Sequence, residues 1–320
     1  PSFKEKVAAS LNKRFDMNYT ANHIFPTSGA AGALAHALRA VTSPGDDVLT
    51  FAPYFPEYNC YVGMTGANLR VVPANTADFQ VDFEQFEKML TPNVSAVLIN
   101  TPNNPSGAVY SAETLKKLAQ LMEDKQKEYG HDIFIISDEP YRELAYDGVE
   151  VPYLTKYYKN TVVGYSYSKS LSLPGERIGY LVIPDELEDS STVITAAAIA
   201  NRVLGSVNAP SLMQKVIQKC VDAEVDVAAY DRNRLALYNG LKECGFECIK
   251  PQGAFYLFVK SPIADEKQFC EAGKKYNILM VPGSSFSCPG YVRLAYCVSY
   301  DTIQNSLPEF KKLAAEFGLN

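Results

Sequence analysis

Lys169 is well placed in this sequence for covalent chemistry. It follows an apolar run at residues 162–165 and stands among small hydroxylated residues, with Ser166 three positions before it. Partial burial at the end of a strand lowers the pKa of a lysine amine, which frees the amine to form an imine with a carbonyl group. A solvated surface charge is the alternative interpretation for any single lysine.

Two further charged residues stand at similar places. Asp138 follows the apolar run at 133–136, where an unpaired carboxylate is costly to desolvate. One interpretation is that Asp138 caps the start of a helix. The other is that its carboxylate pairs with a cationic ring nitrogen. Arg177 comes shortly after Lys169 and just before the apolar run at 178–183, where its planar guanidinium could bind a phosphate.

The segment from residue 26 to 34 could bind an anion. Gly29 and Gly32 flank two alanines at the start of a helical pattern, so the backbone can approach a ligand and the helix N-terminus favours negative charge. An imine-forming amine, a carboxylate for a ring nitrogen and an anion cup are together what pyridoxal phosphate chemistry requires. The sequence therefore predicts pyridoxal 5′-phosphate as the cofactor.

Short apolar runs that alternate with helical patterns must position these residues. Such runs lie at 48–51, 96–99, 133–136, 162–165 and 178–183, with helical patterns at 30–41 and 112–129 among them. This alternation is typical of an α/β domain with a mainly parallel sheet flanked by helices. Ligands bind at the carboxyl ends of the strands of such sheets, which is where the polar residues follow.

Beyond residue 210 the pattern changes to a smaller α+β domain. A long helical stretch at 211–244 precedes an apolar segment at 253–259, a helix at 266–276, a strand at 291–298 and a last helix near 307–317. We predict a large cofactor-binding domain at 20–215 and a small domain made of 1–19 and 216–320.

Composition excludes several kinds of site and partner. Three histidines and seven scattered cysteines show no metal-ligand spacing and no C-x-x-C pair, so no metal site is expected. The cysteines are interpreted as reduced thiols of a cytoplasmic enzyme, with Cys288 and Cys297 as packing residues. A net charge of −6 offers no basic surface for nucleic acid. No apolar run reaches the ~18 residues that a membrane span needs.

Several sequence blocks resemble one enzyme family in their residues, order and spacing. Residues 166–179, SYSKSLSLPGERIG, resemble the lysine signature of class I aminotransferases, the aspartate aminotransferase family of fold type I. Five further segments of this chain resemble other sequence blocks of that family: 100–107, 137–141, 251–256, 281–286 and 291–295. The resemblance extends over residues 1–320 and implies the fold of aspartate aminotransferase.

The resemblance assigns roles around the cofactor ring. Lys169 matches the lysine that forms the imine and carries protons, and Asp138 matches the partner of the pyridine nitrogen. Tyr141 and Asn104 match the donors to the ring hydroxyl oxygen. Phe55 is favoured over Tyr54 as the aromatic residue that stacks on the ring, with a plain core position as the alternative for either.

The phosphate and the substrate have their own implied ligands. Ser166 and Arg177 match phosphate ligands, together with the backbone at Gly29, Ala30 and Ala31. Several relatives carry threonine at the position of Ala31, so one hydroxyl contact is missing in this chain.

Arg293 matches the arginine that binds the substrate α-carboxylate, assisted by Asn104, although strand alternation alone would allow Arg293 to face solvent. Arg202 lies near the place where aspartate-specific relatives read the substrate side chain, but its spacing to the following proline differs by one. A solvated arginine at a helix end is the alternative.

The predicted activity is transfer of an α-amino group between an L-amino acid and a 2-oxo acid by a homodimer. Alternatives on the same scaffold are a C–S or β-lyase and an aminocyclopropane-carboxylate-synthase-like enzyme. A third is the effector domain of an aminotransferase-like transcription regulator, although residues 1–25 are too short for a DNA-binding domain. Because the chain begins with Pro1, we expect it to lack the N-terminal segment of the family.

Overall fold

The computed structural model describes residues 2–319; Pro1 and Asn320, the outer limits of the predicted small domain, lie outside them. The helices are α1 (Phe3–Phe15), α2 (Gly29–Val41), α3 (Tyr58–Gly63), α4 (Phe83–Met89), α5 (Ala112–Tyr129), α6 (Tyr167–Ser170), α7 (Ser190–Val203), α8 (Ser211–Cys220), α9 (Val227–Glu243), α10 (Glu266–Lys274) and α11 (Tyr300–Glu316). The strands are β1 (Ile24–Thr27), β2 (Asp47–Phe51), β3 (Asn68–Val72), β4 (Val94–Asn100), β5 (Phe134–Asp138), β6 (Thr161–Ser166), β7 (Gly179–Val182), β8 (Tyr256–Lys260), β9 (Val281–Pro282) and β10 (Tyr291–Ala295).

A seven-stranded sheet in the order β1-β7-β6-β5-β4-β2-β3 forms the larger part of the fold. Strands β2 to β6 pair in parallel, and β7 runs antiparallel to β6 and β1. The short apolar runs form these strands because both faces are covered: β2, β6 and β7 are buried along their whole length. Helices α2 and α7 pack on one face, and α4 and α5 on the other. The predicted α/β class is confirmed.

A three-stranded antiparallel sheet in the order β8-β10-β9 forms a second, smaller α+β unit. Its apolar side chains share one core cluster with those of α9, α10 and α11. None of the helices in residues 2–319 is both long enough and apolar enough to cross a membrane.

Helix α1 packs differently from the prediction, which placed residues 1–19 in the small domain. Its buried side chains Phe3, Val7 and Leu11 lie in one cluster with Ile24 of β1 and with residues of β6, β7 and α8. The apolar stripe of α1 thus covers the edge of the large sheet, so this part of the predicted domain division is wrong.

Two predicted helix limits also differ from the structure. The helical stretch at 211–244 is interrupted between α8 and α9, because Asp226 caps a new helix by accepting a hydrogen bond from the Ala229 backbone N–H at 3.0 Å. Helix α11 starts at Tyr300 rather than near 307, since Ser299 caps it. Pro308 lies inside that helix and does not end it.

Candidate active site

The carboxyl ends of β4, β5 and β6 and the start of α2 surround one cavity of about 330 Å³. The predicted site residues that line it are Ala30, Ala31, Phe55, Asn104, Asp138, Tyr141, Ser166, Lys169, Arg177 and Arg293. Gly29 lies just behind them, since a Cβ built on Gly29 would stand 2.9 Å from Nη2 of Arg177. A larger cavity of about 510 Å³, beside α1, contains none of the predicted residues.

Asp138 ends β5 with its carboxyl group buried. Oδ2 accepts a hydrogen bond from Tyr58 Oη at 2.7 Å, whereas Oδ1 is buried and has no partner in residues 2–319. Burial raises the pKa of Asp138 to about 7, with a further rise from Glu139, while the Tyr58 hydrogen bond acts to lower that pKa. A carboxyl with one free buried oxygen calls for a cationic donor from a ligand.

Lys169 lies on the one-turn helix α6, directly after β6. Ser166 starts that turn: its hydroxyl accepts from the Ser168 backbone N–H at 3.1 Å. The Lys169 amine stands 5.2 Å from the ring centre of Phe255 and 5.8 Å from that of Tyr141. Burial lowers the pKa of Lys169, the Cys297 thiol acts in the opposite direction, and Arg293 and Arg177 lower that pKa further. The amine is thus easier to deprotonate than a surface lysine.

The guanidinium of Arg293 lies against two aromatic rings. Its guanidinium carbon lies 4.4 Å from the ring centre of Tyr256 and 4.8 Å from that of Phe286, and its Nη1 donates to Oδ1 of Asn104 at 2.9 Å. The Asn104 backbone N–H in turn donates to Oδ1 of Asn100 at 2.7 Å. These contacts leave further guanidinium N–H groups for a carboxylate, which an arginine binds in bidentate fashion.

The close approach of the segment after Asn104 to the small unit helps to position Arg293. Gly107 has φ +71°, and a Cβ on it would lie 2.4 Å from Cβ of Pro251, so only glycine fits there. The Gly107 carbonyl accepts from the backbone N–H groups of Gln252 and Gly253, both at 2.9 Å. This junction joins the loop that carries Asn104 to the segment that leads into Tyr256.

The start of α2 forms an anion-binding end of the cavity. Within residues 2–319, Ser28 at the N-cap position makes no side-chain cap hydrogen bond, and the first turn carries no acidic residue. Because the first N–H groups of a helix have no partner inside the helix, those of α2 can bind an anion. Arg177 adds a cation: its Nη1 donates to the Pro174 carbonyl at 2.9 Å and its Nη2 to the Ser28 carbonyl at 3.4 Å. Ser166 lines the cavity as well.

The two aromatic candidates for ring stacking separate in the structure. Phe55 lines the cavity, while Tyr54 is buried and its hydroxyl accepts from Nδ2 of Asn59 at 2.9 Å. Sequence reasoning missed three tyrosines. Tyr58 holds Asp138, and Tyr61 and Tyr256 line the cavity. Tyr256 belongs to the segment 251–256, which resembles a block of the family, whereas Tyr58 and Tyr61 carry no signal of their own in the sequence.

Arg202 and the two cysteines complete the predicted set. Arg202 is exposed in the last turn of α7 and does not line the cavity. Cys288 is buried with Phe258 and Phe286, as a packing residue should be. Cys297 follows the end of β10 and is exposed, so its interpretation as a packing residue is wrong.

The donor set of the cavity fits pyridoxal phosphate. The free buried oxygen of Asp138 suits a protonated ring nitrogen, and the Lys169 amine suits an aldehyde. The start of α2 with Arg177 suits a phosphate, and Arg293 remains for a substrate carboxylate. Lys169, Arg177 and Arg293 thus each suit a different group: the aldehyde, the phosphate and the substrate carboxylate.

Comparison with known proteins agrees with this geometry. The family described as aminotransferase class I and II matches residues 1–308. A probable N-acetyl-LL-diaminopimelate aminotransferase of Bacillus subtilis is 32% identical over 95% of this chain and 77% of its own. An aspartate aminotransferase of Thermotoga maritima is 31% identical over 95% and 78%. The crystal structure of an aminotransferase from Eubacterium rectale has a TM-score of 0.97 at 50% identity, covering 99% of this chain and 80% of that one.

Proposed function

Because the chain belongs to the aminotransferase class I and II family and is a transaminase, we propose that it binds pyridoxal 5′-phosphate in the cavity described above. The family is generally dependent on this cofactor. One observation carries the proposal: Lys169 and Asp138, whose buried Oδ1 has no partner in the described residues, line the same cavity. The reaction moves an α-amino group between an L-amino acid and a 2-oxo acid.

Lys169 and Asp138 are the residues proposed to act on the cofactor. Pyridoxal phosphate supplies, when bound, an aldehyde for the amino group and a ring that withdraws electrons from the substrate Cα. Lys169 would hold the cofactor through its amine, and the same amine, when free, would carry the proton to and from the substrate Cα. Asp138 would pair with the ring nitrogen through the oxygen that Tyr58 leaves free, and would keep that nitrogen protonated.

The remaining residues are proposed to hold the ring and the phosphate. Tyr141, Asn104 and Phe55 line the cavity; the first two would donate to the ring hydroxyl oxygen, and Phe55 would cover the ring face. Ser166, Arg177 and the N–H groups at the start of α2, where Ser28 makes no side-chain cap hydrogen bond within the described residues, would hold the phosphate. Since Ala31 offers no hydroxyl, the phosphate contacts at this turn come from the backbone.

Arg293 is proposed to select the substrate by its α-carboxylate. Its guanidinium is already stacked and bonded to Asn104, so little side-chain freedom is lost when a carboxylate binds. Aspartate is the first donor to test, because a relative from Thermotoga maritima bears the name aspartate aminotransferase.

Product analysis tests the reaction type against the lyase alternatives. The enzyme is incubated with pyridoxal phosphate, one amino acid at a time and 2-oxoglutarate. We expect stoichiometric glutamate and the 2-oxo acid of the donor. Pyruvate and ammonia without glutamate would instead indicate elimination. A protein that binds cofactor but converts nothing would fit the effector domain of a regulator.

We also propose that the protein is a cytoplasmic homodimer. Exposed apolar side chains recur on α7, on α8 and on the segment between them: Ile199, Val203, Val207, Leu212 and Val216. Such a concentration of exposed apolar side chains supports a protein–protein interface at this surface. A second copy of the chain is the proposed partner, and cell fractionation tests the location.

A further inference from the structure

A buried tyrosine holds one of the two oxygens of Asp138. Tyr58 begins α3 and is 0% exposed, and its Oη donates to Oδ2 of Asp138 at 2.7 Å. The other carboxyl oxygen, Oδ1, is buried without a partner in the described residues and belongs to a residue that lines the cavity. The two oxygens of one carboxylate are therefore unequal before any ligand binds.

Neighbouring side chains pack around the Tyr58 ring and restrict the direction in which its hydroxyl points. Tyr54 stacks on Tyr58 with ring centres 6.1 Å apart and an interplanar angle of 18°. Phe55 meets the same ring edge-on at 5.8 Å, and Leu98 and Ile136 belong to the same buried cluster. The ring that carries the donor thus touches Phe55, the residue proposed to cover the cofactor.

We propose that Tyr58 is a positioning residue for the cofactor: by donating to Oδ2 it orients the Asp138 carboxylate, keeps it ionised and leaves Oδ1 for the ring nitrogen. This inference rests on the proposed function, because it presumes a cationic ring in the cavity. A purely structural role for Tyr58 would predict a loss of stability without any change in the pH dependence of cofactor binding.

The surroundings of Asp138 make this one donor important. Tyr61 of α3, Tyr141 and Glu139 are close enough to the Asp138 carboxylate to interact with it electrostatically, and none of the three is a cation. Burial and Glu139 already raise the pKa of Asp138 to about 7. Loss of the Tyr58 hydrogen bond would raise that pKa further, so the carboxyl would be protonated over more of the neutral range and could not pair with a cationic ring.

The test is titration of cofactor-free protein with pyridoxal phosphate at several values between about pH 6 and about pH 9, followed by absorbance. Tyr58→Phe removes only the hydroxyl. We expect its dissociation constant to rise severalfold near neutral pH, because a raised Asp138 pKa leaves a smaller fraction of the carboxyl ionised. The difference from wild type should shrink as the pH rises and Asp138 ionises in both proteins.

Tyr158→Phe is the matched control. Its hydroxyl is also buried in the large unit and donates to the Ile133 carbonyl at 2.6 Å, so it loses a comparable hydrogen bond far from the carboxylate. We expect its unfolding temperature to fall as that of Tyr58→Phe does, with cofactor affinity and pH profile unchanged. Equal affinity and equal pH profiles for wild type and Tyr58→Phe would overturn the inference.

A second replacement keeps the test decisive if Tyr58→Phe folds poorly. Site-specific 3-fluorotyrosine at position 58 preserves the ring and the hydroxyl but makes the hydroxyl a stronger donor. The binding profile should then move to lower pH, opposite to the shift of Tyr58→Phe; an unmoved profile would contradict the inference. If wild-type protein itself fails to bind pyridoxal phosphate, the proposed function fails instead, and the two failures are thereby distinguished.

Discussion

At the scale of single residues, Asp138 shows how a site can oppose folding. Its carboxyl group is buried with one oxygen unpartnered, and its pKa is raised from 3.8 to about 7. The unfolded chain therefore loses this proton at a lower pH than the folded chain does. As a result, ionisation of Asp138 lowers the free energy of unfolding progressively as pH rises from about 4 to about 7 in the cofactor-free protein.

Asp138→Asn should therefore stabilise the cofactor-free protein while damaging the enzyme. Between pH 5 and pH 8 the free energy of unfolding of the variant, relative to wild type, should increase by roughly 2–3 kcal/mol. Transamination should fall severely, because a neutral amide cannot keep the ring nitrogen protonated. Urea unfolding at the two pH values measures the first effect. If the difference in unfolding free energy between the variant and wild type is the same at both pH values, Asp138 ionises normally in the folded chain.

Arg293→Leu should discriminate between substrates. Removing its charge-assisted hydrogen bonds should lower kcat/KM for amino acids with a free α-carboxylate. The loss should correspond to ~1.5–3 kcal/mol of transition-state stabilisation. Amines that lack the carboxylate should change little. The control is Arg232→Leu, since Arg232 is exposed and stacks on Tyr300 at 4.4 Å, away from the cavity. Equal losses for both kinds of substrate would contradict the role given to Arg293.

At the scale of elements, the first turn of α2 depends on one glycine. Gly29 has φ +73° and a Cβ there would meet Nη2 of Arg177 at 2.9 Å. Gly29→Ala should strain the backbone by about 1 kcal/mol and also displace Arg177. Binding of pyridoxal phosphate should then weaken more than binding of pyridoxal, which lacks the phosphate.

Gly130→Ala separates the two effects in this prediction. Gly130 ends α5 with φ +74° and has no atom within 4 Å of a built Cβ, so the substitution brings similar backbone strain without a neighbour to displace. Its unfolding temperature should fall comparably while its affinity for pyridoxal phosphate stays that of wild type. If both variants lose affinity equally, the anion-binding role of this turn is contradicted.

The elements that sequence reasoning found are those whose pattern is set by burial. The predicted apolar runs became β2, β4, β5, β6 and β7, because central parallel strands are apolar on both faces. Strand β3 was missed, since it lies at the sheet edge and its exposed positions carry polar side chains such as Asn68 and Arg70. The packing of α1 was also missed, because an amphipathic stripe predicts a helix but not the surface that it covers.

The site, like the fold, was predicted from the sequence only in part. The resemblance to class I aminotransferases is confirmed by the family match, and the structure brings the named polar residues to one cavity. Tyr58 could not be found, because its importance depends on a contact with Asp138, eighty positions away in the chain. A tyrosine that fills the core and a tyrosine that orients a catalytic carboxylate cannot be told apart in a single sequence.

At the scale of the whole molecule, α7, α8 and the segment between them expose a concentration of apolar side chains. Val203 is 67% exposed and Leu212 is 73% exposed. If this surface joins two copies, Val203→Lys with Leu212→Lys should weaken the dimer by placing unpaired charges in the interface. Sedimentation velocity over a range of concentrations measures the change.

Leu279→Lys is the matched control for the dimer prediction. Leu279 is 79% exposed and belongs to the segment between α10 and β9, outside the proposed interface. Its dimer constant should equal that of wild type. A dimer unaffected by the double substitution, or one weakened equally by Leu279→Lys, would show that the interface lies elsewhere.

The central claim is that Lys169 forms the covalent link to pyridoxal phosphate, and trapping tests it most directly. The purified enzyme is loaded with pyridoxal phosphate, reduced with borohydride, digested and mapped by mass spectrometry, with Lys169→Ala treated in parallel. We expect one stoichiometric cofactor adduct on the peptide that contains Lys169, and none in the variant. A stoichiometric adduct on another lysine, or a variant that keeps most of its transaminase rate, would contradict the account.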